Sequence, residues 1–230
     1  YYVFSYMREI RVITIDLLGH GQSEWFENTP STMELQAQAV KTILDHLNIK
    51  ECVMVGHSMG GYVSLAFAEA YPQYIKGLCL LHSHALADSN NVKEKREQTC
   101  NIINQNRASF IINFIPNLFA PANHDKFYYE IKDLQDSALE SKADGLILAQ
   151  KGIATRTSKI DLLKTINSPV LFIIGKQDSR IQLDVAIAQA SFPKHSEILI
   201  LENVGHMGHI ESREIIKQRL LSFTYSCFAI

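Results

Sequence analysis

Two apolar periods alternate along this chain. Residues 10–16, IRVITID, are apolar and β-branched; they predict a buried strand that ends in the glycine-punctuated turn LLGHGQS. Ser31 stands three residues before Glu34, the spacing of a capping box, and Val40, Ile43, Leu44 and Leu47 then recur on one helical face. CVMV at residues 52–55 predicts a further strand. A sharp GHSMGG turn follows it, and then an apolar helix, YVSLAFAEA, which stops at Pro72 because proline lacks the N–H an interior turn needs. The run GLCLL ends at Leu81, and after a long gap the alternation resumes with PVLFIIG at residues 169–175, a helix over residues 182–192, and EILILE ending at Glu202.

Strands separated by helices predict an α/β fold, with a doubly wound, mostly parallel sheet covered on both faces. Residues 82–165 break the rhythm: they read as helices only, with clusters such as FIINFIPNLFAP and polar stretches such as DSNNVKEKREQ. This segment is expected to be a helical lid inserted into a core made of residues 1–81 and 166–230, because the strand pattern picks up after it as if uninterrupted. No internal repeat or low-complexity tract occurs.

Composition narrows the function. Of 230 residues, 47% are hydrophobic and 20% charged, as in one globular domain, and a formal net charge of −2 offers no basic excess for nucleic acid or an anionic membrane. A small-molecule substrate fits better. Cys52, Cys79, Cys100 and Cys227 lie far apart without a CxxC pair, and Cys52 and Cys79 sit in apolar runs; they are expected to be reduced thiols. No signal peptide and no bilayer-length apolar run is visible, so a cytoplasmic location is expected.

The chemistry concentrates in Gly56-His57-Ser58-Met59-Gly60-Gly61, a GxSxG nucleophile elbow directly between a predicted strand and helix. A serine raised above strand ends needs a strained backbone, and the flanking glycines let chain segments approach. The next helix begins at Met59, whose N–H is an expected oxyanion donor. A serine hydroxyl needs a base, and the base needs a carboxylate to fix its tautomer. Asp178, in GKQDSR, and His206, in NVGHMGH, each follow a predicted strand, and the carboxyl ends of parallel strands share one edge. His209 is the rival base, and Asp88, Asp184 and Glu202 are the rival acids. Asp16 is expected to support the Gly19–Gly21 turn. The histidines at 82 and 84 lack an acidic cluster that would complete a metal site, so no metal is expected. Instead His82 and His84, with His57 and Met207, are expected to line the substrate pocket. Phe114 and Phe119, with Phe110, Ile115 and Leu118, would supply its apolar roof.

From DLLGHGQS through GHSMGG and GKQD to VGHMGH, the chain resembles the α/β-hydrolase superfamily, in particular its lidded, esterase-like branch. The resemblance implies Ser58 as nucleophile, Asp178 as acid and His206 as base, acting on a small, apolar carboxylic ester through an acyl-enzyme and with no cofactor. It also implies upstream strands, one of them central and ending in a turn that supplies the second oxyanion donor. Those strands are absent from this sequence, so a longer polypeptide is expected. A family triad also serves thioesters, carbon–carbon bonds and cyanohydrins, and a ligand-binding receptor on the same scaffold is the non-enzymatic alternative.

Overall fold

The computed structural model describes residues 10–25 and 29–228. Residues 1–9, whose sequence reads as an amphipathic segment, lie outside them. Four parallel strands, β1 (Cys52–His57), β2 (Ile75–Leu81), β3 (Val170–Gly175) and β4 (Ser196–Leu201), form one sheet in the order β1-β2-β3-β4. The helices are α1 (Met33–His46), α2 (Met59–Ala70), α3 (Asn90–Phe114), α4 (Tyr128–Glu140), α5 (Ala143–Thr155), α6 (Ile160–Thr165), α7 (Leu183–Ala190), α8 (Gly208–Glu211) and α9 (Arg213–Phe228).

The central strands read as continuous apolar runs because both their faces are covered. Successive side chains split between two cores. Leu78, Leu80, Val170 and Phe172 face α1 and α2, joining Val40, Leu44, Leu65 and Phe67, while Cys79, Leu81, Leu171 and Ile173 face Ile216, Leu220 and Phe223 of α9. Each such fully buried side chain contributes roughly 1.5–3 kcal/mol. All four cysteines are free thiols, and burial raises the pKa of Cys52 and Cys79. Among the described residues, no helix is long and apolar enough to cross a membrane.

Two sequence expectations are corrected at the start of the chain. Residues 10–16 do not form a strand. Their period-two pattern survives as burial alone: Ile13 and Ile15 pack on the core while Val12 is 37% exposed, yet no described neighbour offers them a ladder. β1 is accordingly an edge strand of the described sheet, with Val55 39% exposed. At α1 the cap is Thr32 rather than Ser31: the Thr32 hydroxyl accepts the Leu35 N–H at 3.1 Å, and Ser31 stays outside the helix. Asp16 holds the following turn as expected, accepting the Gln22 N–H at 3.1 Å, and Gly21 (φ +53°) has no room for a side chain beside it.

Between β2 and β3, which pair directly, residues 82–165 form helices and no strand. α3 bends at Asn106 (φ −155°, ψ 80°), whose side-chain oxygen accepts the Ser109 N–H at 2.9 Å and restarts the helix. Asp88 braces this segment internally. It accepts from Arg96 at 2.5 Å and forms an ion pair with Arg156 at 2.8 Å, and Arg156 in turn joins the segment to the core by stacking over the Tyr62 ring of α2 at 4.0 Å.

Candidate active site

Each of the four strands delivers a polar side chain at its carboxyl end: Ser58 after β1, His82 after β2, Asp178 after β3 and His206 after β4. Parallel pairing puts these ends on one edge. Ser58 has φ +51° and ψ −116°, a strained conformation for a residue with a side chain. Its neighbours enforce it. A Cβ on Gly56 would run into the backbone of Gly60 and Gly61, and one on Gly61 would run into Ser83. The Ser58 N–H donates to Leu81 O at 3.0 Å, and the Ser83 hydroxyl donates to Ser58 O at 2.9 Å. Met59 is the first residue of α2, so its N–H has no intrahelical acceptor. A side chain at Gly60 would meet nothing within 4 Å. That space belongs to an open cleft of about 410 Å³, lined by Ile15, Leu17, His20, His57, Ser58 and Met59 among others.

His206 is buried, and its Nδ1 hydrogen-bonds both oxygens of Asp178, at 3.0 and 2.9 Å. Asp178 Oδ1 also accepts the backbone N–H groups of Arg180 (2.8 Å) and Ile181 (2.9 Å). Burial alone would raise the carboxyl pKa, but the hydrogen bonds from His206 and His82 outweigh it and hold Asp178 well below the usual carboxylate range. With Nδ1 committed to Asp178, His206 keeps Nε2 as its basic nitrogen. Ser58 Oγ makes no hydrogen bond among the described residues; resting-state catalytic contacts are often long.

The remaining histidines divide between the cleft and the buried interior. His57 does line the cleft, and its Nε2–H donates to His206 O at 2.8 Å. Burial, then the neighbouring His209 and His206, pushes its pKa well down. His82 is not in the cleft; it is fully buried and bonds Asp178 through Nδ1 at 2.8 Å. His84 packs edge-on against Tyr62, with ring centroids 5.5 Å apart, beside a separate, very small cavity, and burial lowers its pKa to about 4. His209 contacts His57, with ring centroids 4.7 Å apart, and is also lowered to about 4 by burial. Phe114, Phe119 and Met207 belong to the apolar cluster of the inserted helices with Phe127 and Ile131, and do not line the cleft. Of the rival acids, Asp88 is occupied by its two arginines, Asp184 lies in the first turn of α7 and accepts the Val185 N–H, and Glu202 pairs with Lys176.

Glu211 was not foreseen from the sequence. Buried on α8, it accepts from Gly205 N (2.9 Å), Ala120 N (2.9 Å) and Asn123 Nδ2 (2.7 Å), while the His206 N–H donates to Leu118 O at 2.6 Å. The loop that carries His206 is thereby tied to the inserted segment. A glutamate five residues after the histidine was the available signal, but acids at such spacing are usually exposed.

The buried histidines set a pH dependence. His57, His84 and His209 are held neutral when folded, whereas in the unfolded chain each takes up a proton below about pH 6.5. The unfolded state therefore binds more protons in this window, and stability falls as pH falls. Melting temperature is expected to hold near neutrality and drop between about pH 6.5 and the value of about 4 that marks His84 and His209. A melting temperature constant across that window would contradict neutral burial.

A serine in a strained strand-to-helix turn, with a histidine–aspartate pair on neighbouring strand ends of a parallel sheet, defines an open α/β enzyme architecture. The chain belongs to the α/β-hydrolase-fold family, whose sequence profile matches residues 7–212. It is 25% identical over 224 residues to a 2-hydroxy-6-oxononadienedioate/2-hydroxy-6-oxononatrienedioate hydrolase of Paraburkholderia phymatum, covering 93% of this chain and 76% of that protein. It is 30% identical to the dihydrolipoyllysine-residue acetyltransferase component of an acetoin cleaving system from Pseudomonas putida, covering 94% of this chain and 56% of that one. Among solved structures, a thermophilic esterase from Thermogutta terrifontis superposes with a TM-score of 0.86 at 27% identity, over 92% of this chain and 78% of that one.

Proposed function

We propose that the protein hydrolyses a small, apolar carboxylic ester through an acyl-enzyme on Ser58. The observation that carries this reading is the left-handed Ser58 set between β1 and α2, on the same edge as the His206–Asp178 pair. His206 Nε2 takes the hydroxyl proton as Ser58 Oγ attacks the ester carbonyl, and the Met59 N–H stabilises the developing oxyanion. The tetrahedral intermediate collapses, and the alcohol leaves with the proton returned by His206. Water, deprotonated by the same nitrogen, then releases the carboxylic acid and frees Ser58. Asp178 stays ionised and stabilises the imidazolium. Residues 82–165, inserted between β2 and β3, are read as the lid segment, joined to the His206 loop through Glu211 rather than lining the cleft.

The Thermogutta terrifontis esterase supports an ester substrate. The Paraburkholderia phymatum relative supports a second reading, because a 2-hydroxy-6-oxo dienedioate has no ester and its hydrolysis breaks a carbon–carbon bond. Purified protein supplied in turn with a short-chain aryl ester and a vinylogous 1,5-diketo acid is expected to favour the ester in kcat/KM by at least about tenfold. A preference for the diketo acid would replace the first reading with the second.

A further inference from the structure

We propose that His82 is a positioning residue for the reaction, a second imidazole whose Nδ1–H holds the carboxylate of Asp178 that in turn orients His206. The proposal rests on the reading of Ser58, Asp178 and His206 given above.

His82 is the first residue beyond β2, the strand that lies between those carrying Ser58 and Asp178. Its φ of +48° is a left-handed conformation that side-chain-bearing residues adopt rarely, and strain of this kind persists where the surroundings impose it. The His82 N–H donates to Ile173 O at 2.8 Å, which fixes the backbone and turns the side chain toward the end of β3. Both side chains, His82 and Asp178, have 0% exposure. Among the described residues His82 Nε2 has no hydrogen-bond partner, and it faces Gly208, where an added Cβ would strike it. A proton on Nε2 would be a buried, unsatisfied donor, so the neutral ring carries its proton on Nδ1, toward Asp178.

Asp178 is thereby saturated. Oδ1 accepts the Arg180 and Ile181 N–H groups and Oδ2 accepts His82 at 2.8 Å, with His206 bridging both oxygens. The ligand-type atoms of His82, Asp178 and His206 lie within 4.8 Å of one another, but nitrogen–oxygen separations of 2.8 and 2.9 Å are those of N–H···O⁻ bonds, so the trio is a hydrogen-bond network.

The consequence is specific. A carboxylate that loses one donor is more basic toward the remaining one and holds a proton on His206 to higher pH. The titratable groups facing His206 are Asp178 from the loop after β3, His82 after β2, His57 at the end of β1 and His209 on α8, while Arg180 acts on Asp178 and Glu211 on His82. Only the His82 donor changes in the test.

The full-length protein, His82→Leu and His82→Asn are compared by the pH profile of aryl-ester kcat/KM and by proton NMR of the imidazole N–H region. Asparagine tolerates a left-handed backbone and keeps a donor near the Nδ1 position. Expected are a roughly tenfold fall and an acid limb displaced upward by about half to one pH unit in His82→Leu. His82→Asn should stay within about threefold of wild type, with its limb unmoved. Wild type should show two far-downfield imidazole protons and His82→Leu one. If His82→Leu does not fold, Gly208→Ala, whose Cβ displaces the His82 ring, should give the same limb displacement. A rate loss with an unmoved limb, or a single downfield proton in wild type, would overturn the proposal. Absence of wild-type ester turnover would instead refute the reading of Ser58, and the two downfield protons would still decide whether His82 donates to Asp178.

Discussion

Ser58→Ala is expected to lower kcat on an aryl ester by about 10⁶-fold while leaving the fold and melting temperature intact. The size follows from the division of labour at the strand edge. Without Oγ there is no covalent route, and what remains is binding in the cleft plus the Met59 N–H, a residual effect of about 10³–10⁴ over water. Stability should not suffer, because Ser58 Oγ makes no hydrogen bond among the described residues, and removing it relieves none of the backbone constraints set by Gly56 and Gly61. His206→Ala should fall nearly as far, since the two groups act as a unit. His209→Ala should fall by less than about tenfold, because the His209 ring packs on His57 and, among the described residues, makes no hydrogen bond to a carboxylate. Comparable losses for His209 and His206 would mean that the base has been misassigned.

Asp178→Asn is the second large effect: a drop in kcat of about 10⁴ together with a loss of stability of roughly 2–4 kcal/mol. The substitution is isosteric, so the cause is hydrogen-bond polarity. Oδ1 must still accept from Arg180 N and Ile181 N, which points the new amide NH₂ at His82 Nδ1 and His206 Nδ1. Both imidazoles then have to shift their protons to Nε2. For His206 that consumes the nitrogen meant to receive the Ser58 proton. For His82 it buries an N–H against Gly208 with no acceptor. The aspartate of a simple triad faces only one of these penalties. Urea unfolding of Asp178→Asn beside wild type, with kcat from the same preparations, checks both. A variant inactive but as stable as wild type would show that His82 is not committed to Asp178.

Much of this arrangement was legible in the sequence because period and punctuation are local. The apolar runs at β1 to β4, the GxSxG turn and the glycines around His206 each report their own backbone, and parallel strands then bring Ser58, Asp178 and His206 to one edge by topology alone. What was not legible depended on partners. Residues 10–16 have the alternation of a strand, and Ile13 and Ile15 keep their inward faces, but a ladder also needs a neighbour that the pattern cannot specify. Ser31 and Thr32 are chemically equivalent caps one residue apart, and the choice between them is set by where α1 docks.

The same limit applied around the site. Phe114, Phe119 and Met207 have the composition of a pocket roof, yet an apolar side chain in a helical insertion serves equally well as its core, and the structure uses these three so. His82 was expected to line the pocket; it is instead buried beside Asp178, and that position depends on a left-handed φ and a carboxylate 96 residues away, neither of which has a sequence signature. Glu211 was missed for a related reason: its three donors come from two segments that meet only in the folded chain.

The central claim is that Ser58 is an activated nucleophile, and intact-mass spectrometry before and after reaction with a fluorophosphonate probe tests it most directly, with Ser58→Ala as the control. One adduct is expected on the wild-type protein and none on Ser58→Ala. No adduct on folded wild-type protein, or an adduct that survives in Ser58→Ala, would contradict it and leave the scaffold as a ligand-binding receptor or place the nucleophile elsewhere.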